Sequence, residues 1–439
     1  MSALQAQGIQ PEVDPFVRPS GRVRLRPLGL ICRRFVRRCR KPRKADPMVS
    51  VVADNPLIER SVLRIAALAE AAGAEFHRDL VVQCSDGALS VEAPPDSAGS
   101  ILIRLPWDSL VPIPPFEIAV TGDDFSMASY DTEITGTSVA MMEAMLELYN
   151  LTHKLAEHRR TSPWCLVASH PELLPKIMTG RQPRLQDAIA SGHRGEVELR
   201  TFLNARVFSY TETPEASSFP VLLPILDAMN HHARGERFRY DAPSERGQVL
   251  RIARSQPLPG MGDECFAYYG DHDCYDTWMS YGFVDDAPAF LRSRAMKIDL
   301  PGLGTIEIAD VVRPLGKAAL SPPIRDLHFY IPKILLKREH EIEISSLRVP
   351  GPRAPRALRR VLSLLIAELS PGRLVQRDLV LHAEQQIIAG NAEYYRTLKA
   401  ALHGIALEDR LQQPILDNFI RMCDIQLRWL GDYPGYAQG

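Results

Sequence analysis

The sequence predicts an α+β chain, with a β-rich body in front of an all-α C-terminal domain. Three observations carry this. Over Gly87–Leu110 and again over 206–284, short runs of β-type residues are separated by turn residues. Beyond about 320, "ALRRVLSLLIAEL" and "LDNFIRMCDIQLRWL" place apolar residues at helical i, i+3, i+4 spacing. With 439 residues, 45% hydrophobic and 24% charged, the chain can bury two or three real cores and has ordinary globular composition.

The elements follow in order. Residues 1–47 hold twelve Lys or Arg against Glu12, Asp14 and Asp46, a balance of +9. The whole chain is at −1, so the remainder is near −10. The stretch "VRPSGRVRLRPLGLICRRFVRRCRKPRK" is broken by prolines and too poor in apolar residues to fold alone. We expect a disordered tail, or an extension upstream of a start at Met48. A targeting or nucleic-acid arm is the other reading. The acidic body argues against a global nucleic-acid footprint.

From Asn55 to Gly73, "NPLIERSVLRIAALAEAAG" reads as an amphipathic helix ending at glycine. The run from Gly87 to Leu110, "GALSVEAPPDSAGSILIRLPWDSL", reads as a hairpin turned by its Pro-Pro-Asp and Ala-Gly segments. Ser138 to His158 is a helix whose Met/Leu stripe faces the core. Residues 162–205 are helical and irregular, and 206–284 return to strands. A proline-rich junction, "LSPPIRDLHFYIP", lies near 320–332. Four helices then follow at roughly 354–369, 375–389, 391–404 and 414–430. There is no internal repeat.

Several classes are excluded. No apolar run reaches the length of about 18 residues that a membrane helix needs, and no signal-peptide core opens the chain. The seven cysteines are scattered without a C-x-x-C, against both a disulfide framework and a thiolate zinc cluster, so a reducing, cytoplasmic compartment is expected. No Walker loop, H-E-x-x-H or G-x-S-x-G motif occurs, and "PGMGDEC" lacks the third glycine of a dinucleotide site.

One stretch needs a chemical account. In "LLPILDAMNHHARG" a buried-type run ends in Asp227, Asn230, His231 and His232. Metal ligation, a polar strand cap and a small-molecule site are the three readings. Adjacent histidines on a strand point to opposite faces, which weighs against chelation of one ion, and no metal is expected. About 30 residues later comes "GDECFAYYGDHDCYDTWMSYGFV".

This pairing resembles the SET-domain methyltransferases, in the branch typified by the Rubisco large-subunit lysine methyltransferase. The carrying residues are Asp227, Asn230 and His231, then Gly262-Asp263-Glu264, Tyr269-Gly270 and Tyr281-Gly282-Phe283. "NARVFSY" resembles the segment that precedes the Asn-His strand and holds Arg206. "DGALSVEAPPDSAGSILIRLP" resembles the opening glycine-rich segment, with Ser90 in place of its second glycine. The likeness covers roughly 75–435 and is specific at 222–284.

The resemblance implies a SET domain over 48–290, with a pseudoknot and a helical insert at about 130–205. It implies a helical substrate-binding domain over 291–439. It further implies S-adenosylmethionine as cofactor and a lysine side chain of a protein as substrate. Leu89, Arg206, Asn230 and His231 would bind the cofactor, Arg206 through its carboxylate. Tyr269 and Tyr281 would be catalytic, and Tyr240 a wall of the substrate channel. Asp227 would brace its turn. Histidine methylation on the same scaffold, or a non-catalytic binding module suggested by Ser90, are the alternatives.

Overall fold

A computed structural model of the chain describes residues 49–177, 183–210, 219–241, 248–254, 256–309, 332, 334–351, 355–372, 374–407 and 409–433. The basic tail 1–47 and most of the junction 320–332 lie outside the described residues. The chain forms two compact units. Among the described residues, the first takes those from Val49 to Lys154 together with those of Arg206–Tyr268. The second takes Leu155–Ala205 and everything from Tyr269 onward. The division therefore does not fall at 290. The helices of 155–205, expected as an insert in the β-rich body, belong with the C-terminal unit.

In the first unit the helix Pro56–Ala71 starts where its sequence says it should. The Asn55 side chain accepts from the Leu57 N–H at 2.9 Å, and Pro56 opens the first turn. Ile58, Val62, Ile65, Ala66 and Ala69 form its buried face. It ends ahead of Gly73, whose φ of +98° a side chain would resist. This helix packs on Gly136–Leu151, and the Ser61 hydroxyl donates to the Ala144 carbonyl across the contact. The expected helix Ser138–His158 breaks after Leu151. Thr152 turns its hydroxyl back onto the Leu148 carbonyl at 2.6 Å, His153 takes φ +52°, and a new helix runs Lys154–Thr161.

Ser50–Ala53 pairs in parallel with Val81–Ser85, which pairs antiparallel with Ala88–Glu92. The reversal is the two-residue loop Asp86-Gly87, with φ of +50° and +78° as a primed hairpin turn requires. The expected hairpin over 87–110 is thus corrected. Its strands form, but Ile101–Leu105 pairs with Leu250–Ala253 and Glu75–Phe76 in a different sheet. The Pro-Pro-Asp segment forms a short 3-10 turn, Pro95–Ser97, that carries the chain between the two sheets instead of folding it back.

In the second unit, Cys274–Tyr281 is a helix with a full capping box between Asp273 and Asp276. The expectation of helices alone from 291 onward is corrected. Among the described residues, six strands lie between Phe290 and Pro350. Four of them, Met296–Leu300, Gly304–Ile308, Glu341–Ile344 and Ile334–Arg338, make one sheet. Phe290–Arg292 pairs with Arg348–Pro350. The helical stretch begins only at Pro355, with Pro355–Leu369, Arg377–His403 and Gln413–Gly431. The two helices expected at 375–389 and 391–404 are one, running through Gly390. A Cβ there would come within 3.1 Å of Met296 Cε, so the glycine serves packing against the sheet rather than a helix end. Leu358, Leu362, Ile387, Tyr395, Leu402 and Phe419 form the buried centre of this bundle. Among the described residues no helix is long and apolar enough to cross a membrane.

Candidate active site

The site residues expected from sequence fall into two groups, one in each unit. In the first unit the apolar run stops at a strained turn. Ile225 sits at φ +64°, ψ −43°, and the Leu226 N–H donates to the Pro224 carbonyl at 2.7 Å. This is a γ-turn of the rare, strained kind, with a buried β-branched residue at its centre. Such strain costs on the order of 1–3 kcal/mol and persists where the surroundings over-determine it, typically at functional sites.

The turn leads into Leu226–Ala228 and delivers Asp227. Its Oδ2 accepts from Arg206 Nη1 at 2.9 Å and from the Tyr149 hydroxyl at 3.0 Å. The Arg206 guanidinium also lies 5.2 Å over the Tyr149 ring. Burial, and then the Asp227 carboxylate, push the Tyr149 phenol well above its ordinary range, so it remains a proton donor throughout. Asp227 therefore braces more than its turn: it fixes the orientation of Arg206. Tyr149 was not legible as part of this group, because it lies 78 residues away in the helical Met/Leu stripe.

Asn230 is exposed at the end of the same segment. Its amide donates to the Leu89 carbonyl at 3.3 Å and to Glu264 Oε1 at 2.8 Å. Its carbonyl accepts from the Ala267 N–H at 2.9 Å, where His231 begins a parallel pairing with Ala267. The Ala93 N–H donates to the Asp263 carbonyl, and the Cys265 N–H to the Val91 carbonyl. Arg254, only 1% exposed, donates to the Glu264 carbonyl at 3.2 Å. Three segments far apart in sequence, 88–93, 227–231 and 263–267, are thus stitched together. Glu264 is a member of this junction that the "GDE" motif contained without a role. Ser90 sits in regular pairing with Gln83, with Leu89 and Val91 buried on the other face of the strand.

Tyr240 belongs to a different cluster. Its ring lies 5.9 Å from Tyr210 and 6.5 Å from Phe208, next to the stacked pair Trp107–Tyr210. His232 accepts from the Arg234 N–H at 2.9 Å and lies beside Phe266, which makes it half-buried rather than solvated. Tyr268 packs near His231 and under the Arg237 guanidinium at 4.3 Å.

In the second unit Tyr269 and Tyr281 come together, with ring centroids 5.1 Å apart. Tyr269 and Tyr268 thus have different neighbours, as strand alternation predicts. Tyr281 ends its helix, and Gly282 closes it in the left-handed conformation at φ +77°. A Cβ on Gly282 would come within 3.0 Å of the Thr161 carbonyl. The Tyr281 hydroxyl lies 3.3 Å from His272 Nε2, and Phe283 stacks on the Tyr281 ring. The helix start is tied down by Asp273, which accepts from the Asp276 N–H, the Arg292 N–H and the Gln426 amide. Burial, with the Asp276 carboxylate one turn away, pushes the Asp273 carboxyl up to about 6.

No protein-family model matches the sequence, and no curated protein matches it. Among solved structures the chain is similar to the SET domain of LSMT bound to lysine and AdoHcy. The identity is 11%, with 85% of this chain and 90% of that chain covered, at a TM-score of 0.40. It is also similar to the same domain bound to methyl-lysine and AdoHcy (12%, 86% and 94%, TM-score 0.33). A third is Rubisco LSMT bound to AdoMet (12%, 86% and 94%, TM-score 0.34).

Proposed function

We propose that this chain is a SET-type protein-lysine N-methyltransferase that uses S-adenosylmethionine. The observation that carries the reading is the junction at Asn230. Two segments that the sequence resemblance assigns to cofactor binding, around Leu89 and Asn230, are joined there to a third by the Asn230 amide, the Leu89 carbonyl and the Glu264 carboxylate.

The donor set fits the cofactor's amino-acid end. Its ammonium group needs acceptors, and the Leu89 carbonyl, the Asn230 carboxamide oxygen and Glu264 are acceptors in one place. Its carboxylate needs a planar cation, and Arg206 offers a guanidinium already oriented by Asp227 and Tyr149. His231 contributes through its backbone. When bound, the cofactor supplies an electrophilic methyl on a sulfonium, in a displacement that needs no metal.

The chain's own task is then orientation and electrostatics. The acceptor lysine must arrive neutral, and removal from water lowers its amine from the ordinary pKa near about 10.4. The phenol oxygens of Tyr269 and Tyr281 align the amine lone pair. Tyr240 packs among the aromatic rings of Tyr210 and Phe208 and would reach the channel as part of that wall.

The test is incubation of a denatured-free cell lysate with the protein and methyl-labelled S-adenosylmethionine, with modified peptides read by mass spectrometry. Label on lysine is the expected result. Tyr269→Phe should lower it about a hundredfold, the loss of one preorganised polar contact, whereas Tyr268→Phe should leave it near wild type. Label on histidine alone would move the reading to histidine methylation. No label on any protein would overturn it.

A further inference from the structure

His272 lies in the polar run Asp271-His272-Asp273, between Tyr269-Gly270 and the helix Cys274–Tyr281. Its Nε2 lies 3.3 Å from the Tyr281 hydroxyl, and its ring meets the Tyr281 ring edge-on at 5.4 Å. The turn that presents it is specialised. Gly270 adopts φ +148°, and a Cβ there would come within 2.9 Å of His272 Nε2, so only glycine lets the imidazole sit under the Tyr269-Gly270 backbone. The His272 N–H donates to the Gly270 carbonyl at 3.0 Å, which closes the loop.

The loop is anchored on both sides. Arg348 pairs with Asp271 at 3.0 Å from the strand Arg348–Pro350, and Arg292 donates to the Asp271 carbonyl from Phe290–Arg292. Arg292 also pairs with Asp276 at 2.8 Å, and Asp273 caps the helix that carries Tyr281. The charged groups around the loop are thus Asp271, Asp273, Asp276, Arg292 and Arg348, engaged with one another or with backbone.

We infer that His272 is a positioning residue: its neutral Nε2 accepts the Tyr281 hydroxyl proton and so fixes the direction of the phenol oxygen's lone pairs. A phenol is a good donor and a poor acceptor, whereas an imidazole nitrogen is a strong acceptor, which sets the direction of the bond. In the methyl-transfer reading, on which the functional consequence rests, those lone pairs face the incoming amine. Protonation makes both imidazole nitrogens donors. A donor at Nε2 takes up a phenol lone pair and forces the hydroxyl proton to turn elsewhere. Tyr281 then loses the orientation that serves transfer.

Two measurements on the full chain test this. The first needs no turnover. Nitrogen-15 histidine spectra, with His272 assigned from the His272→Asn protein, should show a neutral ring unprotonated at Nε2. Tyr281→Phe should shift that ring towards the tautomer protonated at Nε2. A ring protonated at Nε2 in the wild type, or one indifferent to Tyr281→Phe, would overturn the inference. The second is the pH profile of methyl transfer to poly-L-lysine. Between about pH 7.5 and about pH 5.5, the range in which histidines titrate, wild-type kcat should fall about tenfold further than that of His272→Gln, whose amide oxygen reaches the Nε2 position and can still accept from the phenol. Equal acid limbs would refute the role in catalysis. If the wild type transfers no methyl group, the methyltransferase reading fails, and the tautomer spectra still decide the hydrogen bond.

Discussion

The triad Arg206–Asp227–Tyr149 predicts a measurable coupling. The perturbation is a double-mutant cycle of Arg206→Ala and Asp227→Ala. The pair is charge-assisted at 2.9 Å, with side-chain exposures of 21% and 13%. Exposed pairs contribute about 0.2–1 kcal/mol, while removing one partner of a fully buried pair costs about 3–5 kcal/mol. This pair lies between those limits, so we expect a coupling of about 1–3 kcal/mol. Tyr149→Phe should cost about 1.5–3 kcal/mol alone, as for a hydrogen bond to a charged group. Its cost should fall well below 1 kcal/mol once Asp227 is alanine, as for a residue whose partner is already gone. Because the chain has two units, a global melt would blend two transitions. Trp107 is the one tryptophan of the first unit, and it stacks on Tyr210. The fluorine resonance of 5-fluorotryptophan at Trp107, followed through urea unfolding, therefore reports the relevant unit. A coupling below about 0.3 kcal/mol would mean the two side chains act independently, and Asp227 could not be what orients Arg206.

Two further outcomes follow from particular residues. Gly87→Ala should destabilise the first unit by more than the ordinary cost of about 1 kcal/mol for a left-handed alanine, because the new Cβ would stand 2.8 Å from the Thr152 carbonyl at φ +78°. Urea unfolding read at Trp107 checks this, and an unchanged midpoint would refute it. For Asp273 the folded carboxyl is raised to about 6 from 3.8, so the protonated form is favoured in the fold. Its stabilising effect is complete below the unfolded pKa and is lost as pH rises through about 6. The difference in unfolding free energy between Asp273→Asn and wild type, read from urea unfolding of 5-fluorotryptophan at Trp278 in the second unit, should therefore move in favour of the variant between about pH 4 and pH 7, by at most about 3 kcal/mol. A difference that does not change with pH would show that Arg292 and Arg294 offset the burial and the Asp276 charge.

Much of the candidate site was legible because its polar groups sit in contiguous motifs. Asp227, Asn230 and His231 occupy one short run. Tyr269 and Tyr281 sit at a spacing that one helix, Cys274–Tyr281, converts into a ring contact. The members that escaped notice depend on distant packing. Tyr149 is fixed by a partner 78 residues away, and Glu264 gains its role only when Asn230 reaches it. The start of the first helix was readable from local cap chemistry at Asn55 and Pro56. The break at Thr152-His153 was not, since the apolar stripe continues through it. The strands before Pro355 left a period-two signal in "EIEI". Helical spacing further on overrode it, and the segment before it falls partly outside the described residues. Gly390 looked like a helix end because glycine usually is one, while its cause is the approach of Met296.

Leu89, Arg206, Asn230, His231 and Glu264 are the proposed site for S-adenosylmethionine. Its most direct test is calorimetric titration of the full chain with the cofactor. The predicted result is saturable one-to-one binding, weakened by about 1.5–3 kcal/mol in Arg206→Ala, as for a charge-assisted bond, and unchanged in Tyr269→Phe. Absence of binding heat at any temperature tried, or binding indifferent to Arg206→Ala and Asn230→Ala alike, would contradict it.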